Sequence, residues 1–245
     1  MQGARFPVGA ADAIDIEQEP VGPGSRPAGV HRRTRVLACR MAGRDEWADI
    51  AAGDADDLRE RILTGYKAGK PFTPYVPTIT LPARVDSVLD FGCGLGRNFP
   101  YLKTIAARVE GYDLPPMVDR CRALASEKVD DLSADWGNVR ERKYALVFAS
   151  LVLQHIATEE CRDYLSDFAR MAPHVYLLTR TRTDFDAVML DLIGESGLYR
   201  SGSCRIVDHD PVTHQLRVIG ERTFDQARES TEDVHYEMLL RSQIP

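Results

Sequence analysis

Short apolar runs alternate with helix-spaced segments through the middle of the chain. Residues 85–91 (Val85-Asp86-Ser87-Val88-Leu89-Asp90-Phe91) form a β-rich run, followed by a glycine turn and a helical stretch near 97–107. Arg108-Val109-Glu110-Gly111-Tyr112 predicts a second strand. Pro115 and Pro116 suit the start of a helix that runs to about 126. A third strand is expected near 129–133 and a fourth over 144–149. A helix capped by Thr158 should end near 171, a fifth strand should cover 174–179, and a helix should follow near 184–195. The last quarter changes character. Residues 203–208, 215–223 and 234–241 read as strands, with a turn-like connection at 209–214. The pattern predicts an α/β fold with a mostly parallel central sheet and antiparallel C-terminal strands.

Upstream, Trp47, Ile50 and Ala51, then Leu58, Ile62 and Leu63, keep helical spacing over about 45–70, before prolines at 71, 74, 77 and 82. This helix and loop, 41–84, could form a lid, with Tyr66, Lys67, Lys70 and Tyr75 either lining an acceptor pocket or solvated. Residues 1–40 are rich in Gly, Pro, Ala and Arg without apolar periodicity, and read as a disordered extension or as sequence ahead of a start at Met41. Arg32-Arg33 before Val36-Leu37-Ala38-Cys39 faintly suggests an export signal. Its apolar stretch is too short, and Arg40 ends it. The main domain is expected over 85–245.

The net charge of −6 lowers the expectation of a nucleic-acid partner, whose phosphates reward a basic surface. Residues 1–40 carry six arginines against four acids, so the remainder is more acidic than the total suggests. The five cysteines, Cys39, Cys93, Cys121, Cys161 and Cys204, are widely spaced and form no CxxC. They fit a reducing cytoplasm better than a disulfide scaffold or zinc knuckle. No run is long enough to span a membrane. His209 and His214 fall in a turn, and no metal is expected.

The most informative stretch is Val88-Leu89-Asp90-Phe91-Gly92-Cys93-Gly94-Leu95-Gly96-Arg97-Asn98. Three alternating glycines between strand and helix let the backbone turn sharply and approach a ligand closely. They sit at the carboxyl end of the first strand, where open α/β sheets bind ligands. A dinucleotide fingerprint needs a third glycine where Arg97 or Phe99 stands, so that reading fails. Asp113 ends the second strand about 20 residues past the loop, where an acid can accept hydrogen bonds from both ribose hydroxyls.

The D-x-G-x-G-x-G pattern resembles motif I of class I S-adenosylmethionine (SAM)-dependent methyltransferases. Leu132-Ser133-Ala134-Asp135-Trp136 and the strand-four segment from Leu146 to Ile156 extend the resemblance across roughly 85–180. It implies a Rossmann-like methyltransferase fold and SAM as cofactor, with S-adenosylhomocysteine (SAH) as product. It also implies that Asp90, Gly92, Cys93, Gly94, Gly96, Asp113 and Leu114 frame the cofactor. Asp135 would accept from the adenine amino group, Trp136 would border adenine, and Ser150 would sit beside the methionine part. The plainer readings are a solvated acid at Asp135 and a core residue at Trp136. One departure is Ala145, where the family often has an acid.

His155 is the candidate general base, its ordinary pKa suiting the role; the competing reading is a packed, hydrogen-bonded histidine. The expected activity is methyl transfer to a small-molecule acceptor by in-line displacement. Two alternatives stand beside it: a nucleic-acid or protein methyltransferase, and a SAM-binding subunit without activity. The chain lacks an N/D-P-P-Y/F motif after strand four and a Cys with a neighbouring Pro there, as DNA-methylating enzymes would carry.

Overall fold

The sheet grows outward from β1 (Val85–Phe91), whose last five residues are all buried. Continuous burial is what a strand covered on both faces requires. β2 (Ala106–Tyr112) and β4 (Leu146–Ser150) flank it in parallel. β3 (Asp131–Ser133) extends the sheet beyond β2, and β5 (His174–Arg180) extends it beyond β4, both parallel. β9 (His235–Ser242) then lies antiparallel beside β5. Its other edge is shared end to end by β6 (Leu198–Arg200) and β7 (Cys204–His209). β8 (Leu216–Arg222) closes the far edge against β7. The order is β3-β2-β1-β4-β5-β9-β7-β8, with β6 also on β9. This is the mostly parallel sheet with an antiparallel C-terminal end that the sequence pattern predicts. The computed structural model describes residues 44–53, 74–125, 129–180, 185–200, 204–209, 215–228 and 234–244.

Alternation along the strands divides the core between two faces. Leu89, Val147, Val175 and Leu177 pack with Leu165 and Phe168 of α5 on one face. Val88, Phe148, Tyr176 and Leu178 pack with Phe99, Leu102 and Cys121 on the other. Among the described residues the helices are α1 (Arg44–Ala52), α2 (Phe99–Ile105), α3 (Pro115–Leu124), α4 (Trp136–Val139), α5 (Thr158–Met171), α6 (Phe185–Glu195) and α7 (Phe224–Arg228). In α5 the apolar positions fall on one stripe, burying Cys161, Leu165, Phe168 and Ala169. Each large side chain buried in this way contributes about 1.5–3 kcal/mol.

Several boundaries differ from expectation. α2 ends at Ile105, and Ala106 is already extended (φ −128°, ψ 146°), so β2 begins two residues before 108. Thr158 is the first helical residue of α5. The cap position falls on Ala157, which offers no side-chain hydrogen bond. Short β6, α4, α7 and a 3-10 turn at Leu153–His155 were not anticipated. The expectations for 1–40, and for most of the lid over 54–73, lie outside the described residues.

The end of the proline-rich segment is fastened to the C-terminal strands. Glu237 on β9 is fully buried. Its Oε1 accepts from the Thr78 amide at 2.7 Å and from the Tyr176 hydroxyl at 3.0 Å. The Thr78 hydroxyl donates to Oε2, and the Arg205 guanidinium donates to the Thr78 carbonyl. No helix among the described residues is long and apolar enough to cross a membrane.

Candidate functional site

The glycine loop is drawn across the sheet toward β2. The amides of Gly92 and Cys93 both donate to the Tyr112 carbonyl, at 2.8 and 3.1 Å. Gly92 and Gly96 take positive φ (70° and 77°), and each lacks room for a side chain. A Cβ on Gly92 would lie 2.3 Å from a Val152 methyl, and one on Gly96 would lie 2.4 Å from the Phe99 ring. Gly94 (φ 56°) turns its amide toward Asp113, donating to Oδ2 at 2.7 Å. The Leu114 amide donates to Oδ1 at the same distance. The carboxylate is thereby fixed with a further lone pair on each oxygen.

A cavity of about 440 Å³ opens over the carboxyl ends of β1, β2 and β4, within the size range of small-molecule sites. Gly92, Cys93, Gly94, Asp113, Leu114, Ser150 and His155, all singled out from sequence, meet on its wall. Asp90 and Gly96 lie behind that wall. Asp90 is 1% exposed, and neither carboxylate oxygen has a hydrogen-bond partner. Burial, then the nearby Asp113, pushes its carboxyl well above the ordinary range. Asp113 itself is raised to about 6 by desolvation, against the pull of the Gly94 and Leu114 amides.

Asp135 and Trp136 are placed elsewhere. α4 begins directly after Asp135, whose Oδ1 caps it by accepting from the Asn138 amide at 3.2 Å. Trp136 is turned into an aromatic cluster with Phe91, Tyr112 and Tyr164. Its Nε1 donates to Asp167 at 2.9 Å. Neither residue is on the cavity wall.

The rest of the wall comes from α1, the end of the glycine loop, the proline-rich segment, the loop after β4, α5 and the ends of β5 and β9. His155 meets the Trp47 ring edge-on, with centroids 5.3 Å apart. The Gln154 side chain accepts from the Arg180 amide at 2.7 Å, tying the loop after β4 to the end of β5. Arg180 and His235 are direct cross-strand partners on β5 and β9. Glu160 forms an ion pair with Arg44 at 3.0 Å. Arg97 lies over the Tyr75 ring at 4.5 Å. Tyr75 is thus the one expected pocket residue of the 66–75 group that falls among the described residues. Sequence reasoning missed Arg180, although its place at a parallel strand's carboxyl end was a usable signal. It also missed His235, which arrives on an antiparallel strand far along the chain. Leu151 lines the same cavity with φ 57°, an uncommon conformation for a non-glycine residue.

No group of three or more His, Cys, Asp or Glu able to hold a metal occurs among the described residues. The family model described as a methyltransferase domain matches residues 49–237. Solved structures share the fold at low identity. Magnesium protoporphyrin IX methyltransferase (ChlM) from Synechocystis PCC 6803, with bound SAM, is 18% identical, covering 66% of this chain and 71% of its own, with a TM-score of 0.44. A TehB-like SAM-dependent methyltransferase from Corynebacterium glutamicum is 17% identical over 81% and 95%, with a TM-score of 0.45. A chain in the complex of the Haloferax volcanii Trm112 methyltransferase activator with a methyltransferase is 17% identical over 82% and 99%, with a TM-score of 0.50. No curated protein matches the chain.

Proposed function

Because this chain belongs to the methyltransferase-domain family, we propose that it binds SAM and transfers its methyl group to a small molecule. The observation that carries this reading is Asp113, a carboxylate set by two backbone amides on the wall that the glycine loop shares. Vicinal hydroxyls of a ribose suit its remaining lone pairs. The glycines fit the same group, since the loop keeps its close approach only without side chains at Gly92 and Gly96. Ser150 lies at the β4 end, where the methionine part is expected.

When bound, the cofactor supplies a sulfonium-activated methyl group whose departure needs no acid. The chain's own contribution is alignment and exclusion of water. Gly92, Gly94, Asp113 and Leu114 hold the donor side. His155 takes the acceptor's proton where the nucleophilic atom carries one. The bounded cavity favours a small acceptor over a nucleic acid or a protein surface. We assign 85–245 as the catalytic domain and 41–84 as a segment shaping its acceptor side. The free, buried thiols of Cys93, Cys121, Cys161 and Cys204 suit the reducing cytoplasm.

Isothermal titration of the full chain with SAM, SAH and NAD tests the reading. It is supported by binding of both sulfur ligands and none of NAD. Absence of SAM and SAH binding to folded protein, or preferential NAD binding, overturns it.

A further inference from the structure

We propose that α1 is a strap closed across the cavity in the resting protein, and that the cofactor enters and leaves when this helix lifts. The inference rests on the proposed binding of SAM and names how the same site is gated. α1 joins two sides of the cavity. At its first residue, Arg44 pairs with Glu160 on α5 at 3.0 Å. Near its end, the Ala51 carbonyl accepts from Arg120 Nε on α3 at 3.1 Å, and the Gly53 carbonyl accepts from the same guanidinium. Between these ties, Trp47 meets the ring of His155 in the loop after β4. Trp47, Ile50 and Ala51 also form a small apolar cluster with Leu95 of the glycine loop and with Leu114 and Met117 after β2. α5 follows β4 and α3 follows β2, and β1 lies between those strands. The helix therefore crosses over the carboxyl end of β1, where the glycine loop begins. Arg44, Trp47, Leu114 and Met117 all line the cavity.

The strap is held lightly. Of its nine residues, Ala51 alone is buried. The cluster beneath it stands apart from the two large cores on the faces of the sheet. The side chains of the Arg44–Glu160 pair are 48% and 46% exposed, a setting in which ion pairs contribute little. The Trp47 Nε1 is buried without a hydrogen-bond partner. Lifting the helix returns that donor to water, so the closed form carries a cost that the open form does not. A small apolar contact, exposed end ties and an unsatisfied donor place α1 at the low-stability end of the fold, able to open while the sheet beneath stays folded. Such a gate has its own kinetic signature. A ligand that waits for α1 to lift meets the latch on the way in and on the way out. Loosening the latch speeds both steps and leaves affinity nearly unchanged, whereas losing a direct contact to the ligand speeds release alone.

The test is stopped-flow binding and release of SAH by the full chain, followed by tryptophan fluorescence. The chain has two tryptophans, and Trp47 is the one on the cavity wall. Trp136→Phe isolates its signal; if that variant does not fold, the wild-type chain carries the same change over the emission of Trp136. SAH should alter Trp47 emission. Arg44→Ala and Glu160→Ala should each raise the association and dissociation rates together, by about two- to fivefold, the scale of an exposed ion pair. The equilibrium affinity should stay within about twofold. The double variant should match either single one, because the same tie is broken once. The proposal is overturned if Trp47 emission ignores SAH, if neither substitution changes the rates, or if the double variant multiplies the two single effects. Faster release with unchanged association in Arg44→Ala, together with tighter binding in Glu160→Ala, would make Arg44 a direct contact and would also overturn it. Failure of SAH to bind folded wild-type protein by calorimetry would instead strike the methyltransferase reading itself.

Discussion

At the scale of single residues, Asp113 carries the most testable chemistry. Replacing it by alanine should remove one or two charge-assisted hydrogen bonds to the ribose, about 1.5–3 kcal/mol each, measured as SAH affinity by titration calorimetry. Unchanged affinity would refute the assignment. The raised carboxyl, at about 6 in the unliganded protein, adds a pH dependence. Ribose hydroxyls need the ionised form. Affinity should therefore hold above pH 6 and fall as pH drops through it, by up to about tenfold per pH unit. Asp113→Asn should flatten that profile. Gly94→Val should abolish SAH binding, because φ 56° is strained for a β-branched residue and the loop would shift from Asp113. Circular dichroism should report an intact fold alongside that loss. These positions were legible in the sequence because glycine spacing and an acid at a strand end are local signals. Asp135 and Trp136 rest on an equally local pattern, which left a ligand role and a structural one side by side. Their local pattern admits a ligand, but the onset of α4 and the aromatic cluster around Phe91 use them first.

At the scale of elements, the chain carries a helix start that is not optimised. α5 begins after Ala157, where no side chain satisfies the first-turn amides. Ala157→Ser should stabilise the protein by about 0.5–2 kcal/mol. In a chain of this size that is an increase in Tm of a few degrees, readable by calorimetry. The Thr78–Glu237 fastening makes the opposite prediction. Glu237→Ala strands the Thr78 amide and the Tyr176 hydroxyl without their acceptor, at about 1–3 kcal/mol for each unsatisfied group. The urea midpoint should fall accordingly, with Glu237→Gln intermediate. Sequence periodicity recovered the long elements, since seven-residue strands and a fourteen-residue amphipathic helix repeat their signal often enough to be read. The three-residue β6 and the four-residue α4 repeat it too few times. Their existence depends on neighbours such as β9, which no local window contains.

For the whole molecule, the parallel half of the sheet followed from strand–helix alternation, and the antiparallel end followed from the change of pattern after residue 200. The half of the cavity that holds Arg180 and His235 was not legible, because it forms only when β9 is laid beside β5. A chain ending at residue 233 should lose that cavity, SAH binding and cooperative unfolding together, as read by calorimetry and urea titration. The position of β9 also bears on how the molecule is made. β9 is made after the eight strands it completes, yet it occupies the interior of the sheet, between β5 and β7. Until it emerges, β5 presents an unpaired edge, and β6 and β7 have no strand to join. Synthesis therefore passes through a nascent chain that holds β1 to β8 yet cannot close its sheet, and that chain stays open to aggregation until β9 is free to pair.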